Sequence, residues 1–166
     1  EWCVRRKDYN NAEALLIAIQ SHLHPRIDNY KDLLIDLVSQ RALLLSRQEK
    51  FSEAKSLLRE QITKCKAVQQ WNPAGRLLLQ LALVLLDADR AQYAMALPPL
   101  LESLTLSKAH GMKGLHAAAL SVLAQTHVRM GKAKRAIAIL QSTLPSLLQR
   151  EHVWLQAEAY RTLSHC

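Results

Sequence analysis

The sequence predicts an all-α protein, a right-handed solenoid of helical hairpins, and three observations predict it. A small alanine followed four residues later by leucine recurs as Ala12 with Leu16, Ala54 with Leu58, Ala96 with Leu100 and Ala136 with Leu140, led by Tyr9, Phe51, Tyr93 and Ala133. The alanines step by 42, 42 and 40 residues, and such a period marks an array whose units bury their apolar faces only against neighbours. Leu and Ala dominate a composition with 4 Gly, 1 Phe and no β-branched runs, which favours helix nearly throughout.

At 166 residues the chain is expected to form one array of about four long repeats, near 1–25, 26–71, 72–110 and 111–150, with a partial fifth over 151–166. Residues 1–6 read as the end of a helix without its beginning, and no polar capping helix closes the other end. Both ends are therefore expected to be cuts within a longer array.

Taken in order, Asp8 or Asn10 can cap a helix carrying Ala12, Leu15, Leu16 and Ile19 on one face, and His24-Pro25 should stop it. The second repeat opens near Asp28 with Leu34, Leu37, Val38, Ala42 and Leu45 on one face, then turns at 47–50. Phe51 leads a helix expected to run to about Gln70, with a fresh start at Asn72-Pro73. The third repeat carries Leu78, Leu81, Ala82 and Leu85 and a longer turn at 87–90. Its second helix contains Pro98-Pro99, which is tolerated only near a helix start, so this helix should be bent or begin around Met95. His110-Gly111 ends it. Leu120, Leu123, Ala124 and His127 mark the next helix, Met130-Gly131-Lys132 the turn, and Ala136, Ile139, Leu140 and Leu144 the last complete helix, with Pro145 as a kink point. Residues 153–166 read as a further first helix.

Function classes are bounded mainly by what the sequence lacks. Gly111-Met-Lys-Gly114 has neither the spacing nor the strand of a phosphate loop, and no serine or carboxylate pair suggests catalysis, so a non-enzyme without cofactor is expected. His22 with His24, and His165 with Cys166, each supply two ligands without a second pair, so no metal is expected. The three separated cysteines, the absence of a signal pattern and the shortness of the longest apolar run, 77–86, point to an intracellular, non-membrane chain. Its net charge of +8 raises nucleic acid as a partner, but only 5–7 and 129–135 are clustered, both at expected turns.

Binding surface is expected on the first helix of each hairpin. Counting from the small alanines Ala42, Ala82 and Ala124, the open stripe holds Asp36, Ser39, Gln40 and Leu43, then Arg76, Leu79, Gln80 and Leu83, then Ala118, Ser121, Val122 and Gln125. A neutral, partly apolar groove of this kind suits a helix or extended segment of another protein. The predicted protein-binding residues are Arg76, Leu79, Gln80, Leu83, Ser121, Val122 and Gln125.

The small-residue and bulky-residue positions resemble the tetratricopeptide pattern, although its usual unit is about 34 residues and these are about two helical turns longer. The Lys and Asn carboxylate clamp of chaperone-binding members is missing. More specifically, residues 93–108, Tyr-Ala-Met-Ala-Leu-Pro-Pro-Leu-Leu-Glu-Ser-Leu-Thr-Leu-Ser-Lys, resemble the tetratricopeptide region of the subunit 5 family of the anaphase-promoting complex, or cyclosome. The likeness continues loosely through 122–131 and 144–148. It implies a non-catalytic scaffold subunit of a multi-subunit ubiquitin ligase controlling mitosis and cell division, nuclear and cytoplasmic, docking on platform subunits 1 and 4 without membrane, nucleic acid or small-molecule substrate. The alternatives are an unrelated tetratricopeptide adaptor and a helical-repeat nucleic-acid binder using the basic turns.

Overall fold

In the computed structural model, residues 9–22, 30–88 and 93–148 are described. They form seven α-helices and one short 3-10 turn, with no strand among them: α1 Tyr9–His22, α2 Tyr30–Arg47, α3 Phe51–Ala67, α4 Trp71–Ala88, the 3-10 turn Tyr93–Ala96, α5 Leu97–Ala109, α6 Lys113–Arg129 and α7 Ala133–Leu148. The all-helical expectation holds. The expected pieces at 1–8, 23–29, 89–92 and 149–166, including Asp8, His24, Cys3, Cys166 and the basic cluster at 5–7, lie outside the described residues.

Four of the helix connections use one and the same turn. At Lys50, Gln70, Met112 and Lys132 the backbone N–H donates back to the carbonyl five residues earlier, at 2.8–2.9 Å. The residue before each sits in the left-handed region, Glu49 at φ 62°, Gln69 at 56°, Gly111 at 65° and Gly131 at 71°. This is the left-handed C-terminal cap that satisfies the orphan carbonyls of a helix end. The same four residues start the next helix, because their carbonyls accept the N–H of Ala54, Ala74, His116 and Ala136 at 2.9–3.2 Å. One residue thus closes one helix and opens the next. No side-chain cap forms at the starts of α3, α5 or α6.

Two of these turns were readable as glycines and two were not, since Glu49 and Gln69 carry a Cβ in the left-handed region. That is why α3 stops at Ala67, three residues short of its expected end at Gln70. A side chain in this conformation costs about 1–2 kcal/mol relative to the right-handed region. Gln69→Gly is therefore expected to raise stability by about 1 kcal/mol, and Gly131→Ala, whose Cβ meets no atom within 4 Å, to lower it by about the same. Urea-unfolding midpoints of the two variants should move in opposite directions.

Pro98 and Pro99 fall at the first turn of α5, after the 3-10 turn, where their missing N–H groups have no helical partner to lose. The helix proper begins at Leu97, two residues beyond the expected start. Asn10, one of two expected caps, lies inside the first turn of α1 instead.

The recurring small residues are where helix axes approach. Ala42, Ala54, Ala82, Ala96, Ala124 and Ala136 are fully buried, and Ala12 nearly so. A methyl group lets two backbones close on each other while the leucine one turn on fills the adjoining groove. Leu58, Leu100 and Leu140 are fully buried. Consecutive helices pack as antiparallel hairpins, and α2 also packs on α4 and α4 on α6. No comparable backbone approach joins α1 to α3, α3 to α5 or α5 to α7. The stack is tight along α2, α4 and α6 and more open along α3 and α5.

Central α4 is buried on most sides. Leu77, Leu78, Leu81 and Val84 share a core with α2 and α3, while Ala82 and Leu86 share one with α5 and α6. Gly75 marks its closest approach to the next hairpin: a Cβ there would lie 2.6 Å from Leu115 Cδ2 of α6, and the buried Ser103 hydroxyl of α5 donates to the Gly75 carbonyl at 2.9 Å. At the far end of α4, Arg129 of α6 donates to the Leu86 carbonyl at 2.9 Å, lies 3.8 Å from Asp87 and rests its guanidinium 5.8 Å from the Tyr93 ring centroid. It serves as a C-terminal cap supplied by the neighbouring repeat.

Candidate binding face on α1, α2 and α4

The least buried stripe of α4 comprises Arg76, Leu79, Gln80 and Leu83, all half-buried, while Leu77, Leu78, Leu81, Ala82 and Val84 around them are buried. The spacing of three and four residues puts these four on one helix face. Arg76 forms an ion pair with Asp36 on α2, which carries the matching position one repeat earlier. Forty residues separate the two, and the pair joins α2 to α4, which lie side by side. Asp36 is exposed and Arg76 half-buried, and a pair in that setting contributes orientation more than stability.

Asp36 is also on the wall of a cleft of about 490 Å³ between α1 and α2. Its lining is otherwise mostly apolar, with Leu15, Ala18 and Ile19 from α1 and Leu33 and Leu37 from α2. Leu15 and Ile19 were expected among the packed residues of α1, but they are 55% and 49% exposed. Among the described helices α1 packs only on α2, so part of its apolar face has no cover there. With Leu33, these side chains form an exposed apolar patch bordered by the Asp36–Arg76 pair, the composition of a protein-docking surface.

On α6 the expectation fails in part. Ser121 and Val122 are 1% and 8% exposed rather than open. The cause is the small-residue surface of α6, where Ala117, Ala118, Ala119 and Ala124 let the helix sink against its neighbours, and Val122 joins the core shared with α4 and α5. Gln125 remains half-buried. Leu79 and Leu83 also pack partly against α6, so the accessible part of the face is centred on Arg76 and Gln80 and extends towards α1.

Other sequence candidates resolve locally. Cys65 is a free thiol, buried, and burial pushes its pKa up, which suits a core residue rather than a nucleophile. No group of three or more His, Cys, Asp or Glu among the described residues is placed to hold a metal, and no described helix is long and apolar enough to cross a membrane. In the basic cluster at the α6–α7 turn, Arg129 is engaged with α4, whereas Lys132, Lys134 and Arg135 are exposed.

His127 adjoins that turn. Burial first, then Arg135 and Lys132, hold its imidazole below the ordinary value of 6.5, and its Nδ1 has no hydrogen-bond partner among the described residues. As pH falls through 6.5 the unfolded chain takes up a proton that the folded chain refuses, so stability drops until the folded imidazole also protonates. Denaturant midpoints of His127→Gln are expected to fall less than those of the parent between about pH 7 and 5.5.

Comparison with models of protein families, with curated proteins and with solved structures gives no match. Fold and face together define the class of chain: an all-helical protein of seven packed helices among the described residues, with a partly apolar exposed face on α1 and α2.

Proposed function

We propose that the chain is a non-catalytic protein-interaction scaffold, a tetratricopeptide-like right-handed solenoid whose α1–α2–α4 face receives a segment of another protein. More particularly, it acts as a scaffold subunit of the cyclosome ubiquitin ligase, of the subunit 5 family, in mitotic control and in both nucleus and cytoplasm, docking on platform subunits 1 and 4. The observation that carries the scaffold reading is the exposed apolar patch of Leu15, Ile19 and Leu33 bordered by the Asp36–Arg76 pair. Such a surface is costly to leave in water and suits a helix or extended segment of a partner. The family reading is supported by the stretch 93–108, whose paired prolines fall at the entry to α5.

Affinity purification of the tagged full-length protein from cells, followed by mass spectrometry, tests both levels. Cyclosome subunits should co-elute, and Leu15→Glu with Ile19→Glu should release them. Recovery of an unrelated partner set that the same pair of substitutions releases would keep the scaffold and replace the family. Retention of RNA or DNA by the purified chain at rising salt would instead favour the basic turns as the working surface.

A further inference from the structure

The more open side of the stack holds a second cleft, about 460 Å³, between α3 and α5. Its floor is Leu78, Leu81 and Leu85 of α4, spaced three and four residues apart so that they form one row. One wall is Ile62 and Thr63 of α3, and the other is Pro98 and Pro99 of α5, with Met95 at the rim, 53% exposed. From Arg59 at one end to Lys66 at the other is seven residues of α3, about 10 Å, or two turns of a helix. The leucine floor and helical walls match the shape that takes a third, amphipathic helix along its apolar face.

The charge around this cleft is one-sided. Lys66 is paired with Glu102 across it, but Arg59 has no ion-pair partner among the described residues. The lining thus offers one uncompensated cation, Arg59, on a chain already carrying a net +8. We propose that the α3–α5 cleft is a docking site for an acidic amphipathic helix of a partner protein, seating about two turns of leucine-like side chains on the row of α4 and placing acidic residues against Arg59. The site is separate from the α1–α2–α4 face and does not depend on the cyclosome reading.

The test uses the whole chain and two fluorescein-labelled synthetic peptides of about twelve residues. Both carry leucines at positions i, i+3 and i+7 of an alanine-rich helix, and they differ only in having two glutamates or two lysines one turn beyond. Fluorescence anisotropy should show binding of the glutamate peptide, weakened roughly tenfold by Arg59→Glu and by using the lysine peptide. Met95→Glu should weaken both. Arg59 and Met95 are exposed, so the variants should keep the parent's circular dichroism spectrum, while Leu15→Glu with Ile19→Glu should leave binding unchanged. Equal binding of the two peptides, insensitivity to Arg59→Glu and Met95→Glu, or no binding of either peptide would overturn the proposal. Self-association of the chain that Met95→Glu abolishes would also overturn it, by assigning the cleft to a second copy.

Discussion

Ala136→Trp is expected to lower the melting temperature by about 6–12 °C, the equivalent of about 3 kcal/mol in a chain of this size. Ala136 is fully buried in a cluster of Ala117, Ala118, Ala124 and Leu140, with Leu79, Val128 and Ile139 packed around it. Four of the five core members are alanines, so α6 and α7 approach almost backbone to backbone, and an indole can enter only by forcing them apart. Because α6 and α7 share this core, separation at this seam should expose the packed side of α6 as well as α7. A circular dichroism melt superimposable on the parent's would remove the packing role given to the recurrent alanines.

Leu100→Ala is expected to cost about 2–5 kcal/mol by urea unfolding, whereas Leu101→Ala should stay within about 0.5 kcal/mol of the parent. The two leucines are adjacent in α5, but Leu100 is fully buried against Ala82, Leu86, Ala96, Val122 and Leu123, and Leu101 is 54% exposed. Truncating the first removes buried surface and leaves a cavity bounded by α4, α5 and α6; truncating the second removes surface that water already reaches. Similar losses for both would mean that α5 presents a different face to the stack.

The helical turns at 110–112 and 130–132 were legible because glycine marks a left-handed position directly. The turn at 48–50 falls within the polar run expected to turn at 47–50, whereas that at 68–70 was not legible, since glutamine reaches the left-handed conformation only when the helices on either side hold it there. Prolines behaved like the glycines: Pro98-Pro99 announced a helix start whatever lay nearby. The binding face was partly legible. Spacing alone put Arg76, Leu79, Gln80 and Leu83 on one stripe, and that stripe is the least buried on α4. The same count applied to α6 chose Ser121 and Val122, which are buried, because counting finds a face without saying what covers it.

Residue order by itself determined the helices, the places where the chain reverses and the small positions at which helices can meet. These are local matters of backbone conformation and of which side chains share a face. Tertiary structure decided which faces were closed. It set Asp36 opposite Arg76 across forty residues, brought Arg129 to the end of α4 and left Leu15 and Ile19 open while burying Val122. It also opened the cleft between α3 and α5 over the leucine row of α4. The physical reason is that periodicity is a property of one helix, whereas burial depends on the distance to the next, which the side chains of both set together.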